Sequence, residues 1–451
     1  MTAGRVGFKC ASDRKSEDLR LRLEARTKFD PNFWAFSNLK GRSGSHALFQ
    51  YPAMMVPELQ GALLDDLTEV DAGVLSVYDP FSGSGTVMLE CLYRGIDFFG
   101  SDINPMAILL CEVKSSPPEV SALSASMIKV FRRAEGSEKV PQFDFPNINK
   151  WFKPEVKDGL ARLRLAIAEV DSRIERRFLW VCLAETIRLV SNSRISTFKL
   201  HIYSPEDIAR REVNAVKVFR TVCQQNLKRL ALHWERISGI PEAGRRATAK
   251  LSHGCISSAW QSDKQADVLM TSPPYGDNKT TVPYGQHSYL ALRWIDPRDV
   301  HEGFDLTLLD STSRIDSLSL GGSIRAADDS RSELVELSPA LGQFLRKIEH
   351  AAPLRKKILA FCRDYKKSLS SLSPRVRLGA FCFFTLGERR VGGEVFPLVD
   401  VTKDFLRSNG HEVVTVIERV LPGSKKRMAA KNKEGMTMAS EWILVTRSWR
   451  V

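Results

Sequence analysis

Apolar and polar positions divide the chain into stretches of different rhythm. Residues 74–78 form a short apolar run that reads as a buried strand. Residues 87–94 have helical composition, with Gly95 placed as the C-terminal stop. A second apolar run, residues 96–100, ends at Asp102, and a helix from Asn104-Pro105 to about Lys114 follows. Ser115-Ser-Pro-Pro118 then marks a boundary, and the pattern turns helical up to about Gly244. Val156, Leu160, Leu163, Ile167, Val170 and Ile174 recur at steps of four and three, as on one helix face. Residues 178–190 give another amphipathic run, and Val216, Phe219, Cys223, Leu227, Leu230 and Trp234 a third. Sheet character returns at residues 247–256, 266–270, 379–386, 413–420 and 442–446, around a basic helix at about 341–372.

Strands alternating with helices, interrupted by a helical block, predict an α/β fold: a doubly wound sheet with an inserted helical subdomain. Residues 1–30 are polar and read as an N-terminal arm. Residues 31–116 form the first half of the α/β domain, 117–245 the helical insertion and 246–451 the second half. Within that second half, Asp296 to Ser338 is a polar, loop-rich segment.

Two stretches carry chemistry. The first is Asp79-Pro-Phe-Ser-Gly-Ser-Gly-Thr86, between the first predicted strand and its helix. Glycines there let backbone approach a ligand at a helix N-terminus. Asp102 follows Gly83 by about 19 residues, a spacing at which a carboxylate reaches ribose hydroxyls. Met88 replaces the third glycine of a dinucleotide fingerprint, and Thr86 follows Gly85 where a P-loop carries lysine. An acid just before the glycines suits a ligand with a positive end better than a polyphosphate. The second stretch is Thr271-Ser-Pro-Pro-Tyr275, a rigid double-proline turn after an apolar strand. Ligands of open α/β sheets bind at the carboxyl ends of strands, so this turn and Gly83–Thr86 meet if their strands are neighbours.

Composition adjusts this picture modestly. At 451 residues, with 43% hydrophobic content, the chain is an ordinary globular length and balance. A net charge of +13 and a pI near 9.4 favour a polyanionic partner. No run is long enough to span a bilayer and the N-terminus lacks a signal-peptide core, which predicts a cytoplasmic protein. The eight cysteines contain no C-x-x-C pair, so reduced thiols are expected, without a zinc site or other metal.

The first motif resembles the S-adenosylmethionine loop of amino-methyltransferases that act on exocyclic nitrogens of nucleobases. Ser272-Pro-Pro-Tyr275 is similar to the catalytic tetrapeptide of that family, whose first position is Asp, Asn or Ser. The resemblance spans roughly residues 30–115 and 246–451, with the insertion outside it. It implies a Rossmann-like methyltransferase sheet with an antiparallel edge. S-adenosylmethionine would be held by Asp79, Pro80, Phe81, Gly83, Ser84, Gly85 and Thr86, with Asp102 and Asn104. The segment His46-x-x-Phe-x-Tyr51-Pro-Ala is similar to one that closes the methionine end, making Tyr51 a further contact or a simple core aromatic. Ser272, Pro273, Pro274 and Tyr275 would hold and activate the base.

The chemistry accounts for these residue types. An exocyclic amine is a poor nucleophile because its lone pair is delocalised into the ring. Acceptors on its hydrogens, here Ser272 Oγ and the Pro273 carbonyl, would release that lone pair, and Tyr275 would stack on a base swung out of the duplex. Serine in the first position goes mostly with cytosine N4. The expectation is therefore a site-specific DNA methyltransferase of the restriction-modification or phage-defence kind, with a cognate endonuclease or other defence subunits as partners. Adenine N6 in DNA, an amine in RNA, and a nucleic-acid-binding protein with a silent site stay open as alternatives.

Several details go beyond the motifs. Family members often carry an acid after the third strand, where Ser252-His-Gly-Cys255 has none, leaving Asp263 or a backbone carbonyl to meet the adenine. Asn278 and Tyr284, with Tyr289 and Trp294, continue the resemblance, which implies a substrate loop at about 276–340, and Lys425-Lys-Arg427 adds a basic hairpin. The insertion is an added target-recognition or partner surface. Its Arg173, Arg176, Arg177, Arg210, Arg211, Lys228 and Arg229 form either a solvated face or a phosphate-tracking wall.

Overall fold

Alternating side chains of the central strands supply two cores, one on each side of a single sheet. Val77, Phe98, Val268, Met270, Phe381, Phe383, Ile443 and Val445 point to one face. Tyr78, Phe99, Leu269, Cys382, Phe384 and Leu444, their neighbours in sequence, point to the other. This period-two split is what a strand buried on both faces requires. The architecture is that of a computed structural model describing residues 3–39, 41–137, 139–239, 247–256, 264–277, 281–421 and 440–449, with side chains from residue 14.

The strands are β1 (Ser76–Asp79), β2 (Asp97–Asp102), β3 (Ala249–His253), β4 (Ala266–Thr271), β5 (Val376–Gly387), β8 (His411–Val420) and β9 (Ser440–Ser448), with a separate small pair β6 (Arg390–Val391) and β7 (Glu394–Val395). Their order in the sheet is β3-β2-β1-β4-β5-β9-β8. β1 to β5 run parallel, and β9 is antiparallel to both β5 and β8. The strand order reverses at β1, between β2 and β4, and so creates a switch point at the carboxyl ends of β1 and β4. The α/β, doubly wound, Rossmann-like sheet with an antiparallel edge stands as expected.

Helices α1 (Ala3–Phe29), α2 (Pro57–Val70) and α3 (Thr86–Leu92) cover the first face, and α4 (Pro105–Ser115) follows β2. The polar N-terminal stretch is thus a helix rather than an arm. It docks through buried Leu19 and Leu23 and through Arg22 and Arg26, which donate to Asp66 of α2 at 2.6–3.2 Å. Among its described side chains, Leu19 and Leu23 alone are buried apolar residues, too few for a periodic signal. Helices Pro339–Lys347, Ala352–Ser370 and Leu398–Ser408 cover the second face. The single basic helix expected there breaks in two at 348–351; Pro353, in the first turn of the second helix, has no N–H to carry the hydrogen-bond ladder back across the break.

Between α4 and β3 lie α5 (Val120–Glu135), α6 (Ile148–Trp151), α7 (Pro154–Ala168), α8 (Arg173–Val190), α9 (Pro205–Arg210) and α10 (Ala215–Ser238). Leu160, Leu163, Ile167, Phe178, Trp180 and Phe219 form their core, which continues into Met106, Leu109 and Leu110 of α4. Ile174 leaves the expected apolar face: it belongs to α8 and is 51% exposed. Arg176 and Arg177 are structural ties. Arg176 makes a two-pronged contact to the buried Asp299 carboxylate at 2.8 and 2.9 Å, and Arg177 donates to the Asp299 and Val300 carbonyls and pairs with Glu112. Among the described residues no helix is long and apolar enough to cross a membrane.

Candidate active site

The loop after β1 is shaped by its own hydrogen bonds. Ser82 N–H donates to the Ser101 carbonyl at 3.0 Å, Ser82 Oγ to the Asp79 carbonyl at 3.0 Å, and Gly85 N–H to the Ser82 carbonyl at 2.8 Å. Gly83 and Gly85 hold φ of +49° and +71°, a region costly for other residues. Their surroundings differ. A Cβ on Gly85 would lie 2.8 Å from Cys111 Sγ, so this glycine lets α3 pack against α4. Gly83 instead faces a cleft, beneath the ring of Tyr51.

Two acids brace the loop. Asp102 Oδ2 accepts from Gly83 N–H at 2.8 Å and its Oδ1 from Asn104 N–H at 2.8 Å. Asp79, fully buried, accepts at Oδ1 from Phe81 N–H at 3.0 Å and from Thr271 Oγ at 2.6 Å. Its Oδ2 is buried without a hydrogen-bond partner among the described residues. Loss of water pushes both carboxyls up, Asp79 to about 7 and Asp102 to about 6, against the donors that favour their ionised forms. Lys114, buried in the last turn of α4, donates to the Ser84 carbonyl at 2.6 Å. Burial pulls its ammonium down to about 8.

The second motif leaves β4 directly beside this loop, because β4 pairs with β1 through Val77–Val268 and Tyr78–Leu269. Ser272 Oγ donates to Tyr275 Oη at 3.4 Å, and Tyr275 Oη donates to Glu441 Oε1 at 3.3 Å. Glu441, at the start of β9, pairs through Oε2 with Arg419, which also donates to the Trp34 carbonyl at 2.9 Å. Burial, reinforced by the neighbouring Glu441 charge, raises the Tyr275 hydroxyl well above its ordinary range.

Both motifs open on one cleft of about 1470 Å³. Pro80, Phe81, Gly83, Ser84, Thr86, Asp102, Asn104 and Tyr51 line it from the loop side, and Ser272, Pro273, Pro274 and Tyr275 from the turn side. Asp79 and Gly85 stand behind this wall rather than on it. Asn104 caps α4 and ties the wall together: its Nδ2 donates to Tyr51 Oη at 3.0 Å and to Ser288 Oγ at 2.9 Å. Tyr284 stacks on Tyr51 with ring centroids 5.7 Å apart, so it orders the wall as well as lining it.

After β3, Gly254 N–H donates to the Asp102 carbonyl at 3.0 Å, His253 Nε2 contacts the Ile103 carbonyl at 3.0 Å, and residues 254–256 line the cleft. Asp263, Asn278 and the Lys425–Arg427 hairpin lie outside the described residues.

Three contributors escaped sequence reasoning: Lys114, Glu441 and the segment after α8. Residues 193–201 of that segment line the cleft, bringing Arg194, Lys199 and His201 to it. The segment folds back on itself through Arg194 N–H to the His201 carbonyl at 2.7 Å and Tyr203 N–H to the Asn192 carbonyl at 2.9 Å. Leu200 N–H donates to Gln286 at 2.9 Å and so fixes it to the helix Tyr284–Trp294.

The chain is similar along nearly its whole length to one known protein and over about a quarter of its length to another. It is 28% identical over 457 residues to Type II methyltransferase M.MvaI of Kocuria varians, covering 96% of this chain and 98% of that one. Type II methyltransferase M.MjaII of Methanocaldococcus jannaschii is 25% identical over 125 residues, 28% of this chain and 23% of its own. Its curated relatives are Type II methyltransferases. No family model matches the chain. Among solved structures, the rRNA methyltransferase aviRa from Streptomyces viridochromogenes aligns over 91% of this chain and 94% of its own, at 11% identity and a TM-score of 0.29, too slight to bear on function.

Proposed function

We propose that this protein is an S-adenosylmethionine-dependent DNA methyltransferase that modifies an exocyclic amine, cytosine N4 first of all, within a specific sequence. The observation that carries the reading is the shared cleft: Thr271 Oγ on Asp79 Oδ1 at 2.6 Å welds the glycine loop to the Ser-Pro-Pro-Tyr turn. The full-length similarity to a Type II methyltransferase supports it.

The residues present fit the cofactor. Gly83 leaves backbone open to the cleft, Asp102 offers acceptor capacity there, and the buried Oδ2 of Asp79, without a partner among the described residues, leaves a further polar atom behind the loop. Bound there, S-adenosylmethionine would supply an electrophilic methyl group on a cationic sulfur. Asp102 would take the ribose hydroxyls, and Tyr51 would close the methionine end over Gly83. Ser272 Oγ and the Pro273 carbonyl would accept the amine hydrogens, with two prolines fixing their aim. The ring of Tyr275 would stack on the flipped base. In this reading residues 117–245 serve target recognition, because the segment at 193–201 brings Arg194 and Lys199 to the same cleft. A restriction endonuclease or another defence subunit completes the proposed setting.

The test is incubation with methyl-labelled S-adenosylmethionine and separate DNA and RNA pools. Label in DNA alone supports the reading. Label in RNA alone transfers the same chemistry to a different polymer, and cofactor binding without label in either overturns an active enzyme.

A further inference from the structure

A hydroxyl can donate or accept, and Ser272 does useful work on an amine only if it accepts. The turn itself does not decide this, since a free serine hydroxyl rotates to suit whatever faces it. What decides it is a chain of three side chains reaching across the sheet. Glu441 Oε1 lies 3.3 Å from Tyr275 Oη, and a carboxylate can only accept. The single hydrogen of Tyr275 is therefore spent on Glu441. Burial and the Glu441 charge keep that hydrogen in place. At the next contact, 3.4 Å from Tyr275 Oη to Ser272 Oγ, the only hydrogen left to bond with is that of the serine. Ser272 must point its hydrogen at Tyr275 and its lone pairs elsewhere.

We infer that Glu441 is a positioning residue that fixes the hydrogen-bond polarity of Ser272, so that the cleft presents an acceptor and selects a base carrying an amino group over one carrying a carbonyl. The inference rests on the proposed base-methylating reading and adds a selection rule to it. Glu441 is itself held from the other side. Arg419 pairs with its second oxygen and is anchored on the Trp34 and Ala35 carbonyls, so the N-terminal segment and the β8–β9 edge aim the carboxylate. Nothing in this chain of contacts requires Glu441 to touch the base.

The selection follows from pairing donors with acceptors. An amino group at the target position meets Ser272 lone pairs and is held. A carbonyl oxygen at the same place meets those lone pairs as well, and a buried acceptor left facing an acceptor is costly. Glu441→Gln offers an amide donor to Tyr275 Oη. The tyrosine hydrogen then turns to Ser272, and the serine hydrogen is freed to point at the base. Tyr275→Phe removes the middle of the chain and lets Ser272 rotate, while leaving the Glu441–Arg419 pair intact.

The experiment measures binding, without turnover, of duplexes carrying cytosine or uracil at the target position, in the presence of S-adenosylhomocysteine. Both duplexes are offered to wild type, Glu441→Gln and Tyr275→Phe, so differences in base-pair strength cancel between proteins. Wild type is expected to prefer cytosine by roughly tenfold or more, and both variants to lose most of that ratio. A ratio unchanged in both variants overturns the inference and leaves the methyltransferase reading in place. Failure of wild type to bind either duplex defeats that reading instead. Should Glu441→Gln fold poorly because Arg419 loses its counter-charge, Tyr275→Phe still decides the matter.

Discussion

Thr271 Oγ donates a 2.6 Å hydrogen bond to Asp79 Oδ1, joining the last residue of β4 to the last residue of β1. Each residue belongs to a different motif, far apart in the chain. The bond sets the spacing between the glycine loop and the Ser272–Tyr275 turn, and it stabilises a carboxylate that burial otherwise penalises.

Removing that donor has a pH signature. The Asp79 carboxyl sits at about 7 in the folded protein, above its ordinary value of 3.8. Between those values the unfolded chain binds fewer protons than the folded one, so this group's contribution to stability falls as pH rises from about 4 to about 7 and is then flat. Thr271→Val pushes the carboxyl higher still and leaves Phe81 N–H as the remaining donor to Oδ1. The variant should lose about 1–3 kcal/mol in the cofactor-free protein, with a larger drop in melting temperature at pH 8 than at pH 5. Thermal unfolding at the two pH values checks this. An equal drop at both would mean that Asp79 is not the group affected.

Lys114 is a third brace of the loop, beside the two acids. Lys114→Met keeps most of the side-chain volume and deletes the 2.6 Å bond to the Ser84 carbonyl. The Ser84 carbonyl then loses its buried partner and the loop loosens. Cofactor affinity should fall about tenfold, equivalent to ~1.4 kcal/mol, in a calorimetric titration. Unaltered affinity would make Lys114 a packing residue only.

The strand-loop-helix-strand unit was legible because its signals are local: Gly83 and Gly85 between two apolar runs, and Asp102 at the second run's end. Ser272–Tyr275 was legible for the same reason. Glu441 was not, because only the β5–β9–β8 edge brings it to Tyr275. Lys114 reads in sequence as an ordinary basic residue in a helix's last turn, and its burial is set by packing around Ser84. Residues 193–201 have no periodicity to betray them; the closure of the loop and its anchor on Gln286 place them at the cleft. Gly85 shows the opposite emphasis, since its motif position suggests ligand contact whereas a Cβ there would run into Cys111.

That same contact makes Gly85→Ala a structural lesion. The new methyl would lie 2.8 Å from Cys111 Sγ, at a φ of +71°. A loss of about 1–3 kcal/mol in unfolding free energy is expected from strain and overpacking together. Denaturant unfolding measures it, and a loss below about 0.5 kcal/mol would contradict the packing argument.

Charge reversal at the insertion loop addresses target engagement. Arg194→Glu with Lys199→Glu replaces two cations at the cleft. DNA affinity should weaken and the slope of log affinity against log salt should become shallower by about 2, with cofactor affinity unchanged. An unchanged slope would remove this loop from the nucleic-acid surface.

The central claim is that Ser272 activates an exocyclic amine of DNA for methyl transfer. The most direct measurement digests DNA methylated by the protein to nucleosides and identifies the modified one by mass spectrometry, for wild type and for Ser272→Ala. N4-methylcytosine from wild type, lost in Ser272→Ala while cofactor binding persists, is the predicted result. A ring-carbon methylated base, or an undiminished yield from Ser272→Ala, would contradict the account.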